Sequence, residues 1–107
     1  MTPHCHAPSC IKMELWNADT GALICRQVPV YGSTPAATPQ NPYDELGYAA
    51  IPPCLYGDKE DGLLPPPFLR YDQNLTAVKW NNNTYGHYGE MAMWQMRGAQ
   101  AFAPGVY

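Results

Sequence analysis

The chain has 107 residues, of which 12 are Pro and 9 are Gly, so these two types fill 21 of 107 positions. That is about a fifth, against roughly 12% in average proteins. Charged residues make up 14%, and 6 Lys+Arg against 9 Asp+Glu give a net charge of −3. This balance argues against a nucleic-acid-binding protein, the 46% apolar content argues against disorder, and the frequent Pro argues against long helices.

What remains is a single domain spanning 1–107 and belonging to the all-β class. We expect a small antiparallel β-sandwich or a jelly-roll-like fold with long Pro-rich irregular segments and disulfides. A domain of this size can bury one apolar core, but that core stabilises the fold only marginally, so disulfide bonds would add useful stability.

The first segment, residues 1–10, is an arm rich in Cys and His. Cys5 and Cys10 lie in it, and the other two cysteines are Cys25 and Cys54. Four cysteines allow three disulfide connectivities, and the sequence alone does not choose among them. We favour a short Cys5–Cys10 loop with Cys25–Cys54; the alternative is four buried reduced thiols, since free Cys packs as a small hydrophobe.

The same arm contains ligand types that suit Zn or Cu, namely His4 and His6 beside Cys5 and Cys10. Structural zinc sites, however, use two separated ligand pairs, and no second pair follows in this chain. Disulfide formation would also remove the thiolates. We therefore predict no metal and no other cofactor.

Residues 11–31 predict a β-hairpin. The segment 11–17 alternates apolar and polar residues with the period of a half-buried strand, with Ile11, Met13 and Leu15 on one face. The segment 18–21 predicts a turn that ends on a Gly, and 22–28 predicts the returning strand. Pro29 should end that strand.

Residues 32–67 form a Pro-rich segment, and nine of the twelve Pro lie between 29 and 67. Tyr and Leu side chains are spread through it, so we predict an ordered segment, stiffened by Pro and anchored either on its own sheet or on a neighbouring molecule. The acidic residues within 58–62 predict a solvated turn rather than a calcium loop, because the rest of a calcium-binding pattern is missing.

Residues 68–98 return to strand character, and 99–107 form a tail. A strand is predicted at 75–80 and a polar turn at 81–84. The segment 90–97 is compatible with a two-turn helix by propensity. We favour a strand there, because the surrounding Gly residues leave room for only a short element.

Two glycosylation sequons, Asn74-Leu75-Thr76 and Asn82-Asn83-Thr84, lie close together. Combined with paired cysteines, they predict N-linked glycans on Asn74 and Asn82 and a secreted, extracellular location. The opening residues lack the basic and apolar stretches of a signal peptide, so we expect a secreted form to be a mature piece. No apolar run approaches the roughly 20 residues that a membrane span needs.

No catalytic constellation accompanies these features, and we predict that the protein is not an enzyme. His87 lies near Glu90 and Tyr85, but no nucleophile motif or phosphate-binding loop supports a general base there. Exposed aromatic residues suggest an alternative, a monomeric lectin-like module that stacks sugars on side chains such as Trp16, Trp80, Tyr85 and Tyr88.

Four strings at 20–27, 52–57, 62–67 and 84–92 resemble uncharacterised secreted glycoprotein subunits of extracellular filaments from aquatic microbes. The resemblance spans about residues 20–98 and implies a β-rich protomer that self-assembles, with no catalytic or binding residue carried over. We therefore expect a structural, homo-oligomeric subunit of an extracellular glycoprotein fibril or surface layer. The sugar-binding module remains the alternative.

Overall fold

The computed structural model describes residues 1–6, 9–31, 48–81, 86 and 89–101. All pairings between the strands in this part of the chain are antiparallel, and the only helix here is a single 3-10 turn. The all-β class is thus confirmed. The elements are β1 Thr2–Cys5, β2 Cys10–Asn17, β3 Leu23–Gln27, β4 Val30–Tyr31, β5 Tyr48–Ala50, the 3-10 helix Lys59–Asp61, β6 Leu75–Asn81 and β7 Ala92–Gln95.

These strands form three small sheets. The central sheet has the order β3-β2-β6, and two-stranded ribbons are made by β1 with β7 and by β4 with β5. In the central sheet β2 lies between its hairpin partner and a strand that follows about 60 residues later. Strand β2 therefore pairs on one side with a strand close in sequence and on the other side with a strand distant in sequence.

Strands β2 and β3 pair as the predicted hairpin. Ile11, however, does not share the buried face of Met13 and Leu15, because it lies at the register irregularity between Cys10 and Lys12 and is 46% exposed.

The hairpin turn lies between β2 and β3 and ends on Gly21, whose φ of +76° is the left-handed conformation that Gly adopts without strain. The side chain of Asn17 supports the turn, since its Oδ1 accepts hydrogen bonds from the backbone N–H groups of Asp19 and Thr20 at 3.0 and 3.1 Å. The returning strand ends at Gln27, two residues before Pro29.

The ribbon of β1 and β7 shows that the segment 90–97 contains a strand rather than a helix, as favoured from the sequence. Strand β1 was not predicted, since residues 1–10 were expected only to form an arm rich in Cys and His. Pro3 lies opposite Trp94 in a two-stranded ribbon. Such a sheet has only edge strands, where a missing donor is tolerated.

The core is small and rich in sulfur. Its buried apolar residues form two clusters, and four of the six are half-cystines. The half-buried indole of Trp94 packs against both clusters, so the β1–β7 ribbon lies over one face of the central sheet. The two clusters are Cys5, Cys10 and Met13, and Leu15, Cys25 and Cys54.

Two disulfides join the cysteines in the pairing favoured from the sequence, Cys5–Cys10 and Cys25–Cys54. The first pair is separated by 5 residues and the second by 29. By loop-closure entropy the longer loop stabilises the fold by about 3 to 4 kcal/mol and the shorter by about 2 kcal/mol. These contributions matter because, among the residues that the structure describes, only six apolar side chains form the buried core.

The described end of the Pro-rich segment lies on the chain's own central sheet. Cys54 exchanges two backbone hydrogen bonds of 2.8 Å with Met1. Gln27 donates to the carbonyl of Pro53 at 3.0 Å, and the Tyr56 hydroxyl donates to the carbonyl of Ile24 at 2.6 Å. Residues 32–47 lie outside the described part, so the prediction of an ordered segment over all of 32–67 stays a prediction.

A buried ion pair also links the layers. The ammonium group of Lys79 on β6 contacts a carboxylate oxygen of Glu90, just before β7, and the Lys79 side chain is only 6% exposed. The buried hydroxyl of Ser9 donates to the other oxygen of Glu90 at 2.5 Å. Lys79 lies opposite Met13 in the sheet register, so this charge stands on the core side of the central sheet.

Candidate functional site

The outer face of the central sheet, turned away from the sulfur core, carries an unusual set of side chains. The strand register places Arg26 and Val78 opposite Glu14, and Trp80 opposite Lys12. Directly opposite residues of antiparallel strands project to the same face. The outer face therefore includes Lys12, Glu14, Trp16, Leu23, Arg26, Thr76, Val78 and Trp80.

Glu14 is the centre of this face. It is only 4% exposed, and its two carboxylate oxygens contact four neighbours. Oε1 accepts from Arg26 Nε at 2.8 Å and lies 3.1 Å from Lys12 Nζ. Oε2 accepts from Trp16 Nε1 at 3.1 Å and from Trp80 Nε1 at 3.5 Å.

These contacts set the electrostatics of the face. The Arg26 guanidinium lowers the pKa of the Glu14 carboxyl from its ordinary 4.5 to about 2; burial opposes this shift, while Lys12 and the two indole N–H groups add to it. Glu14 is therefore a carboxylate at neutral pH, and with two cations beside it the cluster carries a net charge of +1.

The two tryptophans differ in how much surface they offer. Trp80 is 50% exposed, whereas Trp16 is half-buried. The ammonium of Lys12 lies 4.5 Å from the centre of the Trp80 ring, within the range of a cation–π contact. The outer face thus presents an apolar ring beside a half-exposed Arg side chain, which suits a ligand with both an apolar side and a negative charge.

Asn74, the first predicted glycosylation site, is exposed and directly precedes β6. Its side-chain Nδ2 donates to Asp19 Oδ1 at 2.9 Å, and its backbone N–H donates to Asp19 Oδ2 at 3.2 Å. These bonds lower the pKa of Asp19. A glycosylated Asn keeps one N–H on Nδ2, so the bond to Asp19 is compatible with a glycan; Asn82 lies outside the described residues.

The histidines of the N-terminal arm lie together, with their Nε2 atoms 3.1 Å apart. The neighbouring Cys5 and Cys10 are joined in a disulfide and supply no thiolate. Across the described ranges no group of three or more His, Cys, Asp or Glu side chains is placed to hold a metal ion. His87, Tyr85 and Tyr88, considered from the sequence, lie outside the described residues, and Glu90 serves the ion pair with Lys79.

A second surface feature is apolar. A groove of about 330 Å³ lies beside the hairpin turn, with Leu23 and Ile24 of β3 on one side and Leu64 and Phe68 on the other. The acidic residues after 58 lie in the exposed 3-10 helix nearby, as the solvated-turn interpretation predicts. Phe68 is 83% exposed and Leu64 is 57% exposed. Within the described structure, the groove is therefore bordered by solvent-exposed apolar side chains.

Sequence reasoning missed the role of Glu14, which it placed simply on the polar face of a strand. Its partners come from three strands, and the contact with Trp80 joins residues 66 positions apart. The one available signal is the local Lys12-Met13-Glu14-Leu15-Trp16 alternation, which sets a carboxylate between a cation and an indole. It reveals neither Arg26 nor Trp80.

The described residues include no helix of the length and apolarity that crossing a membrane would require. Comparison of this chain with models of protein families, with curated proteins and with solved structures found no match.

Proposed function

We propose that this protein is a structural, self-assembling subunit of an extracellular glycoprotein fibril or surface layer. The observation that carries the proposal is the ratio of exposed to buried apolar residues. Within the described part, six apolar residues form the core, whereas twelve large apolar side chains are at least 40% exposed. They are Ile11, Leu23, Val28, Val30, Leu55, Leu64, Phe68, Tyr71, Trp80, Met91, Met93 and Met96.

Single exposed apolar side chains are normal on a soluble protein, but a contiguous group marks an interaction surface. Leu64, Pro67 and Phe68 border one groove together with Leu23. Fully burying a side chain of this size stabilises an interface by about 1.5 to 3 kcal/mol. A partner that covers the groove would therefore gain several such contributions.

The occupant we assign to the groove is a second copy of this chain. Residues 53–56, of which Tyr56 lines the groove, are fixed on their own sheet by the Cys25–Cys54 disulfide and by hydrogen bonds, while Leu64 and Phe68 on the groove border stay 57% and 83% exposed. The outer edge of β6 offers a further pairing site, because β2 is its one strand partner in the described structure; the β3 edge is covered in part, since its Ile24 carbonyl already accepts from Tyr56. Unpaired edges accept strands from other copies.

The extracellular and glycoprotein parts of the proposal are supported by the two disulfides, which persist in oxidising compartments, and by the exposed sequon at Asn74. Intact mass before and after deglycosylation tests the second point. We expect deglycosylation to lower the mass, and we expect an Asn74→Gln variant to carry one glycan fewer than the wild type while the glycan on Asn82 is kept. An unmodified mass in protein secreted by a glycosylating host would contradict it.

Assembly is tested by sedimentation velocity and negative-stain electron microscopy of the purified protein. Long regular particles are expected, and a Leu64→Ser/Phe68→Ser variant should yield small species because it removes apolar contacts at the groove. Lys59→Ser/Glu60→Ser, a double change to Ser in the exposed 3-10 helix and outside the groove, serves as the matched control. A stable monomer at every concentration, or equal loss of particles in both variants, would overturn the proposal.

A further inference from the structure

We propose that the outer face of the central sheet binds an acidic saccharide, one that carries a carboxylate or a sulfate, through Trp80 and Arg26. This inference is independent of the proposed function, because neither residue borders the apolar groove and the site exists within one chain.

The first support is the exposed ring. The C–H side of a pyranose is apolar, and an indole offers it a large flat surface. Trp80 keeps half of its surface exposed although Lys12 contacts one side of the ring. The ring is also held in place, because its Nε1 points toward Glu14 Oε2, so little side-chain entropy remains to be lost on binding.

The second support is a cation on the same face, Arg26, which lies across Glu14 from Trp80, because Glu14 contacts both side chains. A guanidinium has five N–H donors, and Arg26 uses the one on Nε to donate to Glu14. The Arg26 side chain is 50% exposed, and in the described structure the terminal N–H groups of the fork donate to no protein acceptor. A carboxylate or sulfate accepts hydrogen bonds from such a fork in a bidentate geometry.

The third support is the charge of the cluster. Glu14 neutralises one of the two cations beside it, so a net charge of +1 remains on a protein whose overall charge is −3. One local positive charge beside one ring matches a sugar that carries one acidic group. A nucleic acid is disfavoured, because its affinity depends on neutralising many phosphates.

Glu14 itself is a positioning residue in this site. Its four contacts fix both indoles and both cations at once, and at 4% exposure it offers a ligand almost no surface. The site is therefore organised before any ligand arrives, as saccharide sites with weak individual contacts require.

The test is a titration of the full protein followed by tryptophan fluorescence and by calorimetry. Three probes are compared: an oligogalacturonate, the same oligosaccharide with its carboxyl groups reduced to alcohols, and a sulfated galactan oligosaccharide. We expect the first and third to bind at least about tenfold more tightly than the reduced probe, with an affinity that falls as salt is added. Binding of only one acidic probe would identify the acid group that the site prefers and would also support the proposal.

Three variants locate the site. Trp80→Ala should weaken binding of the acidic probes about tenfold or more, whereas Trp80→Phe keeps a ring and should retain most of the affinity. Arg26→Gln should remove the preference for the acidic over the reduced probe. Tyr71→Ala, which removes a 95% exposed aromatic side chain outside this face, should change nothing.

Near-UV circular dichroism of each variant shows whether the fold is kept, and Arg26→Gln, which leaves Trp80 in place, decides the matter if the Ala variant does not fold. Equal affinity for the acidic and reduced probes, no binding of any probe, or equal effects of Trp80→Ala and Tyr71→Ala would overturn the inference. Particle formation, judged by microscopy on the same samples, reports on the proposed function separately.

Discussion

The two faces of strand β2 are both buried, but by different physics. On the inner face Met13 and Leu15 are 0% and 3% exposed among disulfides and a tryptophan. On the outer face Glu14 is 4% exposed, although charged groups and indole N–H donors surround it. In the described structure, one side of the sheet is thus covered by apolar side chains and disulfides, and the other is centred on a carboxylate whose two oxygens each contact two donor groups.

The comparison has a consequence for energetics. Burial of Met13 and Leu15 on the inner face does not depend on the ionisation of the groups packed against them, because these are apolar side chains or disulfides. Burial on the outer face depends on the ionisation of one group, Glu14. The two faces can therefore be disturbed separately, and the following changes are ordered from the largest expected effect to the smallest.

The largest effect is expected from the inner face. Replacing Cys25 and Cys54 together with Ala should lower the free energy of unfolding by about 3 to 4 kcal/mol, because the disulfide closes a loop with a sequence separation of 29. The matched double replacement of Cys5 and Cys10, with a separation of 5, should cost about 2 kcal/mol. Urea unfolding measures both free-energy changes. A larger destabilisation on removal of the Cys5–Cys10 disulfide would show that loop entropy does not determine how much each disulfide stabilises the fold.

The ion pair of Lys79 and Glu90 is an exception to the contrast between an apolar inner face and a charged outer face, because it places charge on the inner side. Glu90→Gln should destabilise the protein by about 2 to 3 kcal/mol, because the ammonium of Lys79, 6% exposed, loses its carboxylate. A Lys79→Met/Glu90→Gln variant should recover part of that loss in urea unfolding. Glu60→Gln, a control in the exposed 3-10 helix, should stay within about 0.5 kcal/mol; an equal change in Glu90→Gln would mean that the ion pair contributes nothing.

The smallest effect, and the one specific to the outer face, is a pH dependence. The pKa of Glu14 is about 2 in the folded protein and about 4.5 as an ordinary carboxyl. Its stabilising contribution is therefore complete above pH 4.5 and is lost as the pH falls toward 2. Glu14→Gln should be less stable than the wild type at pH 6, and the difference should shrink toward pH 2.5. A difference that is the same at both pH values would contradict the role of this carboxylate.

Strand positions were largely predictable, because each depends on nearby residues. The alternation at 11–17 and the Gly at the end of the turn predict β2, Gly21 and β3 from adjacent positions alone. The strand choice at 90–97 also depended on local Gly spacing. The disulfide pairing was favoured from spacing, although the sequence left three connectivities open.

The chemistry of the outer face and the buried ion pair could not be predicted, because both depend on cross-strand register. Trp80 reaches Glu14 only because β6 pairs with β2 so that Lys12 lies opposite Trp80. A shift of one residue would send Trp80 to the core side and Lys79 to the outside. The sequence shows which residues are candidates, but the register decides which of them meet. Fibril formation and sugar binding stay proposals, since both concern molecules outside a single chain.

The link between Cys25 and Cys54 has one further consequence, for proteolysis. Any peptide bond broken between residues 26 and 53 lies inside the loop that this disulfide closes, so the two pieces stay covalently joined. Met1 is bonded to the same point through the backbone of Cys54, which keeps the N-terminal strand attached to the later piece. A subunit nicked there would migrate as one molecule until it is reduced, and an assembly built from it would keep its parts while its main chain is already cut.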